Sequence, residues 1–245
     1  MGWKASLISK LPSFLSQPIR KIYYFSLLKN FHQTDELLFL DELIKKGDFV
    51  VDVGASIGLY TQKLSLLAGS EGKVISIEPV PSTFDILKHN IKKFKLSNVI
   101  AKNYAISDVN GRILMETPSW PDGGKDFYRS RIVDQTQKSG KSFYVVSATL
   151  DNMLINFPQR VSFIKCDVEG SELKVIEGAI NTIKKSMPSL LLEIISDPMD
   201  KHSDAYKIFS LLEGVGYQAF WLKGSSLEKY SPSVNVFNYF FIPNK

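Results

Sequence analysis

The sequence predicts an α/β fold: an open, mostly parallel sheet with helices on both faces. Three observations carry this reading. The run Phe49-Val50-Val51-Asp52-Val53 is apolar and β-branched except at Asp52, stops at Gly54, and passes at Gly58 into a helical pattern. Such a run suits a central parallel strand covered on both faces. A second run, Val74 to Ile77, follows one helix later and ends in Glu78-Pro79. Further runs at Val161 to Asp167 and Leu190 to Ile195 again alternate with helical patterns, the rhythm of a parallel sheet.

In chain order, Met1 to about Phe31 carries Lys4, Lys10, Arg20, Lys21 and Lys29, no acid, and apolar residues at loosely helical spacing with a break expected near Pro18. It is expected either to pack over the core as a helical extension or to lie on an anionic membrane as a peripheral contact. No run reaches the ~18 apolar residues of a membrane span. Lys10, Pro12, Pro18, Arg20 and Lys21 interrupt anything like a signal peptide, so the expected address is cytoplasmic. Met1-Gly2-Trp3-Lys4-Ala5-Ser6 matches the loose myristoylation pattern by chance. The expected partition is a basic amphipathic extension over 1–34 and one domain over 35–245.

Thr34 or Asp35 is expected to cap a helix through Leu43 that ends in Lys45, Lys46 and Gly47. A helix from Gly58 to about Ala68 and another opened by Pro81 flank the Glu78 strand. Asn98 to Ile106 reads as a third strand, and Ser107 to Gly111 as a turn into an extended run, Arg112 to Glu116. The α/β rhythm then breaks for an insert at about 112–147. Its stretch from Thr117 to Gly140, with Trp120, Tyr128, Arg129 and Arg131, is where acceptor recognition is expected. Regular structure resumes with Phe143 to Val146 and a short helix near Leu150 to Ile155. The Val161 strand follows, then one helix spanning Leu173 to Ile183 and the Leu190 strand. A helix over Tyr206 to Leu212 and strands near Gln218 to Leu222 and Val236 to Ile242 complete the chain.

Among 245 residues, 44% are hydrophobic and 22% charged, the proportions of an ordinary globular protein. A net charge of +5 is too mild to argue for nucleic acid, and Lys88, Lys92, Lys93 and Lys95 read as a solvated helix face. Cys166, the single cysteine, is expected to be a buried core residue.

The glycine turn narrows the ligand. A dinucleotide fingerprint G-x-G-x-x-G needs a second glycine to admit a pyrophosphate, and Ser56 stands there instead. Asp52 also precedes the first glycine, and a carboxylate repels a pyrophosphate. Beside a ligand bearing an ammonium and a sulfonium the same acid is favourable, and S-adenosylmethionine (SAM) is such a ligand. Glu78, at the end of the next strand, is expected to accept from its ribose hydroxyls. Asp52, Glu78, Asp108, Asp167 and Glu193 all fall at or just after the carboxyl ends of expected strands, where open α/β sheets bind ligands. Asp167 and Glu169 are the expected catalytic acids near an acceptor hydroxyl, with His202 as a candidate base. A metal bridging Asp167 and Glu193 lacks an evident third ligand, so none is expected.

Several blocks together resemble the FkbM family of SAM-dependent methyltransferases: Val51 to Thr61, Ile77-Glu78-Pro79, Ala105-Ile106-Ser107-Asp108 with Gly111, Thr149-Leu150-Asp151, and above all Ile164-Lys165-Cys166-Asp167-Val168-Glu169-Gly170-Ser171-Glu172 with Glu177-Gly178-Ala179. The match runs from about Leu37 to the C-terminus. It implies a Rossmann-like class I methyltransferase fold with a seven-stranded, mostly parallel sheet, SAM as cofactor, and O-methylation of a small-molecule or sugar hydroxyl. The donor is then expected among Asp52, Gly54, Ala55, Ser56, Gly58, Tyr60, Thr61, Glu78, Ser107, Asp108 and Asp167. Ser56 stands where the family commonly has asparagine. Two other readings stay open here: a nicotinamide-dependent oxidoreductase, which needs the glycine that Ser56 replaces, and a non-catalytic SAM-binding module.

Overall fold

The computed structural model describes residue 8 and residues 13–118, 130–133 and 141–244. Along the chain, α1 (Ser13–Lys29) and α2 (Asp35–Leu43) lead into β1 (Phe49–Val53), α3 (Leu59–Ala68), β2 (Lys73–Ile77), α4 (Pro81–Lys93) and β3 (Val99–Lys102). Then come β4 (Ala105–Ile106), β5 (Gly111–Thr117), β6 (Arg131–Ile132), β7 (Lys141–Ala148) and α5 (Leu150–Leu154). The last third holds β8 (Val161–Cys166), α6 (Glu172–Glu177), α7 (Ile180–Ser186), β9 (Ser189–Glu193), α8 (Asp204–Val215), β10 (Tyr217–Lys223), β11 (Ser226–Lys229) and β12 (Asn238–Pro243).

All five residues of β1 are buried, and period-two alternation sends them to two different cores. Phe49, Val51 and Val53 join Ile75, Ile77, Ile164, Leu190 and Leu192 on one face, where α6, α7 and α8 pack. Val50 joins Val74, Phe163, Leu191 and Phe240 under α2 and α3 on the other. That double coverage is why the strand sequences are apolar at nearly every position. Strand order in the main sheet is β11-β10-β12-β9-β8-β1-β2-β3. The five strands from β9 to β3 are parallel, and at the far edge β12 pairs antiparallel with β9, β10 with β12, and β11 with β10. The sheet thus has eight strands where seven were expected. The extra one, β11, folds back on β10 in register from Phe220↔Lys229 to Lys223↔Ser226, through a tight turn with Gly224 at φ 59°. Ser226-Leu227-Glu228-Lys229 carries little β propensity, and its pairing comes from that hairpin.

Two other expectations change. The strand expected over Asn98 to Ile106 divides at Asn103, whose Nδ2 donates to the carbonyls of Glu78 (2.7 Å) and Pro79 (3.0 Å) and draws the chain off the sheet. β4 then pairs with β7 in a second, four-stranded sheet of order β4-β7-β5-β6, which is what the described part of the insert builds. The helix expected from Leu173 to Ile183 is broken into α6 and α7 at Gly178-Ala179. At Gly178 the backbone lies so close to Ser107 that a Cβ would come within 2.0 Å of its carbonyl oxygen. Asp151 then caps the new helix from outside: Oδ2 accepts from the Asn181 N–H (3.1 Å) and Oδ1 from the Thr182 N–H (2.7 Å).

The expected break at Pro18 is absent, since Pro18 lies inside α1. That helix buries Tyr24 and Leu28 against Ile57 and Ile86, and Phe25 meets Phe94 with ring centroids 4.9 Å apart. No helix among the described residues is long and apolar enough to cross a membrane. Residues Met1 to Ser6, Trp120, Tyr128 and Arg129, and with them the expected core of acceptor recognition, lie outside the described residues.

Replacing Asp151 with Ala removes the cap of α7 and should lower the unfolding free energy by about 1–2 kcal/mol in urea titrations. Asp151→Asn, which keeps one acceptor oxygen, should lose less; equal losses would mean the cap is not the cause.

Candidate active site

Where β1 ends, the chain must turn within a space set by β8. Gly54 has φ 76°, and a Cβ there would lie 1.8 Å from the Asp167 carbonyl oxygen, so no other residue fits. The Gly54 and Ala55 N–H groups both donate to the Ile77 carbonyl (3.0 and 2.9 Å), which ties the turn to the end of β2. Ser56 follows at φ 50°, left-handed backbone that asparagine tolerates better than serine. Gly58, at φ 98°, brings α3 against Leu87.

Above this turn lies a cleft of about 720 Å³, its open mouth included. Gly54, Ser56, Glu78, Asp167 and Glu169 line it on the main-sheet side, and Tyr104, Ala105, Met115, Ser130 and Ile132 form the wall opposite. The second sheet and the segments leading into it therefore supply more than a third of the lining, which sequence reasoning assigned to no particular residue. The long interruption of the α/β rhythm was the available signal.

Glu78 is buried, with both oxygens held by backbone: Oε2 accepts from the Ser56 N–H and Oε1 from the Val80 N–H, each at 2.9 Å. Each oxygen keeps a further lone pair for a ligand hydroxyl. Burial pushes its carboxyl up from 4.5 to about 7, against the pull of those two N–H groups. Asp52 does not reach the cleft. It is wholly buried beneath it, with Oδ2 accepting from the Thr61 hydroxyl at 2.6 Å and Oδ1 without a partner among the described residues. Burial raises its carboxyl, and Lys165 works in the opposite direction. The Ser56 hydroxyl is likewise buried with no partner among the described residues.

Lys165 is the residue that sequence reasoning quoted but gave no role. Its ammonium is buried, 3.0 Å from Asp167 Oδ2, 3.5 Å from the Gly54 carbonyl and 4.8 Å from the centre of the Tyr60 ring. Burial alone would lower its pKa, but Asp167 and Asp52 outweigh it and hold the charge. A lysine between Ile164 and Cys166 in a buried strand has to be paired, and that was the sequence signal. The crevice is thus not the purely anionic rim expected, because a buried cation sits among its acids. Tyr60 is half-buried against Lys165, and desolvation lifts its phenol to about 12 against the pull of that ammonium.

Asp167 and Glu193 end adjacent parallel strands and act as a pair. Burial works to raise Asp167, but Lys165 and a hydrogen bond from Glu193 hold it below the usual carboxylate range. Glu193 is pushed up to about 7 by burial and by the charge of Asp167, and keeps the proton the pair shares. Glu169 lines the cleft at φ 56°, and Glu172 Oε1 accepts from the Val168 and Gly170 N–H groups at 3.1 Å, closing the loop that carries it.

Other expected residues lie elsewhere. Ser107 is buried and donates to Asp108 Oδ1 (2.8 Å), Asp108 is exposed in the turn before β5, and neither lines the cleft. His202 is exposed in a turn where its N–H donates to Asp200 Oδ1 at 2.9 Å, and it too is absent from the cleft lining. Among the described residues no three His, Cys, Asp or Glu side chains gather as a metal site needs.

A family model described as the methyltransferase FkbM domain matches residues 52–219. Hexuronic acid methyltransferase AglP of Haloferax volcanii is 26% identical over 192 residues, covering 76% of this chain and 72% of that protein. Among solved structures, the O-methyltransferase from Bacillus cereus in complex with SAH superposes with TM-score 0.54 at 13% identity, over 97% of this chain and 95% of that one. Methyltransferase FkbM from Methylobacillus flagellatus gives 0.51 at 16% identity, over 91% of this chain and 59% of that one. At such identities the two structures show the fold, a class I methyltransferase sheet.

The native state holds the Glu78 proton up to about pH 7, whereas the unfolded chain releases it near 4.5. Its contribution to stability is therefore present below pH 4.5 and lost as pH rises through 7. The loss is on the order of 3 kcal/mol. Urea midpoints measured from pH 5 to 8 should fall more steeply for the wild type than for Glu78→Gln; parallel curves would contradict the burial argument.

Proposed function

The chain belongs to the FkbM methyltransferase domain family and is a SAM-dependent methyltransferase, and from that premise we propose that it methylates a hydroxyl of a saccharide or other small molecule, with Asp167 taking the proton. Family membership disposes of the nicotinamide reading that Ser56 already disfavoured. The observation that carries the proposal is the Asp167 carboxylate, pinned at 3.0 Å by a buried lysine on the wall of the cleft.

The residues present fit the donor. SAM supplies an electrophilic methyl on a sulfonium, and its departure leaves a neutral thioether. Gly54 and Ser56 line the cleft, and the Ser56 Oγ is a buried polar atom without a partner among the described residues. Glu78 offers its free lone pairs to ribose hydroxyls. Ala55, Gly58, Tyr60 and Thr61 serve by shaping the turn and holding Asp52 and Lys165 in place.

An attacking alcohol becomes positive as its bond to carbon forms, so an acid beside it lowers the barrier, and its proton must leave. Lys165 and the hydrogen bond from Glu193 keep Asp167 ionised for that task. Glu169 faces the same cleft and helps orient the acceptor. The hexuronic acid acted on by a 26% identical relative favours a saccharide acceptor, and the second-sheet wall is where it would rest.

Transfer to a panel of hexuronic acids and neutral sugars, followed by mass spectrometry, tests the reading. A methyl ether surviving mild alkali supports a hydroxyl acceptor, and an alkali-labile ester overturns it. On a validated acceptor, Asp167→Asn should lower kcat by about 100-fold or more, with binding of S-adenosylhomocysteine retained in calorimetry. Glu169→Gln should lower it less, and His202→Ala should leave it unchanged. Full activity in both acid variants would remove the assignment while leaving SAM binding intact.

A further inference from the structure

The face shared by α1 and α4 carries charge that methyl transfer does not use. Lys21 and Lys29 lie on α1 and Lys92 and Lys93 on α4, two helices that meet through Phe25 and Phe94. Helix α1 contains no acidic residue, and the one acid of α4, Asp85, is paired with Lys88 at 3.2 Å. Lys29, Lys92 and Lys93 are exposed, and none of the four lysines is ion-paired among the described residues. His89 of α4 sets its ring edge-on to Phe25 of α1, with centroids 6.4 Å apart. Burial, together with the charges of Lys93, Lys21 and Lys92, keeps its imidazole below the usual value.

The same face carries apolar surface. Ile22 is 68% exposed and Ile19 41%, whereas Tyr24 and Leu28 of the same helix are buried against Ile57 and Ile86. Ile22, Ser26 and Lys29 follow one another at helical spacing and form a single outward stripe. A lone exposed isoleucine is ordinary. Two of them on a helix without an acid, with four lysines that have no ion pair among the described residues, match an interfacial helix that lays apolar side chains among headgroups and cations against phosphates.

We propose that the α1 and α4 face docks on an anionic phospholipid surface, with Lys21, Lys29, Lys92 and Lys93 against the headgroups and Ile22 entering the interface. Single-stranded nucleic acid would use the same cations, but it binds through exposed aromatic platforms. On this face the rings of Phe25 and Phe94 are spent on each other. The docking is independent of which acceptor the cleft takes.

Cosedimentation of the full chain with vesicles tests it. The protein should pellet with phosphatidylcholine containing phosphatidylglycerol, stay in solution with phosphatidylcholine alone, and be released by salt. Lys21→Gln with Lys92→Gln and Lys93→Gln should weaken binding about tenfold or more, and the corresponding triple Arg variant should retain it. Ile22→Ser, at an exposed position where folding is not at stake, should weaken it severalfold. The proposal is overturned if the wild type ignores both vesicles or pellets equally with both. It is also overturned if the Gln variant binds as the wild type does, or if a single-stranded oligonucleotide strips the protein from the vesicles at equimolar amounts.

Discussion

The rest of the structure depends on how closely the end of β1 approaches the end of β8. At Gly54 the backbone passes so near the Asp167 carbonyl that a single methyl group would collide with it. The Asp167 N–H in turn donates to the Val53 carbonyl at 3.2 Å. With the two strand ends held together, the donor turn and the proposed proton acceptor become parts of one rim, and Lys165 reaches both the Gly54 carbonyl and the Asp167 carboxylate. Positioning of this quality comes from backbone and packed strands rather than from long side chains, which is where a reaction needing in-line geometry gains most.

Burying that much charge is costly unless each ion has a partner. The solution here is graded. Lys165 is shared between Asp52 and Asp167, Glu193 keeps a proton against Asp167, and Glu78 is shielded by two backbone donors. What remains facing the cleft is the strongly held Asp167 carboxylate together with Glu169, while burial lifts Asp52, Glu78 and Glu193.

Much of this was legible in the residues, with particular exceptions. Period-two burial in β1, β2, β8 and β9 follows from apolar runs that only a doubly covered strand tolerates. The place of Glu78 beside the glycine turn follows from strand order. By contrast, the division of Asn98 to Ile106 rests on one side-chain amide reaching carbonyls 24 and 25 residues away, and the break at Gly178 on a carbonyl 71 positions earlier. Neither leaves a local trace, because the residues involved are ordinary within their own windows. Asp108 and His202 show the converse: both sit in polar loops that look like site loops, yet each is accounted for by the turn it stabilises or occupies.

By itself the sequence determined the parallel core of the sheet, β1, β2, β8 and β9, since a hydrophobic run that only a doubly covered strand tolerates is a local property. It determined as well that a carboxylate would precede the glycine turn and another would end the next strand. Only the tertiary structure decided which acids face the cleft and which lie under it, that Lys165 neutralises part of their charge, and that the second sheet forms the opposite wall. The reason is that exposure and ion pairing depend on distances between strands far apart in the chain, and those distances exist only once the sheet has formed.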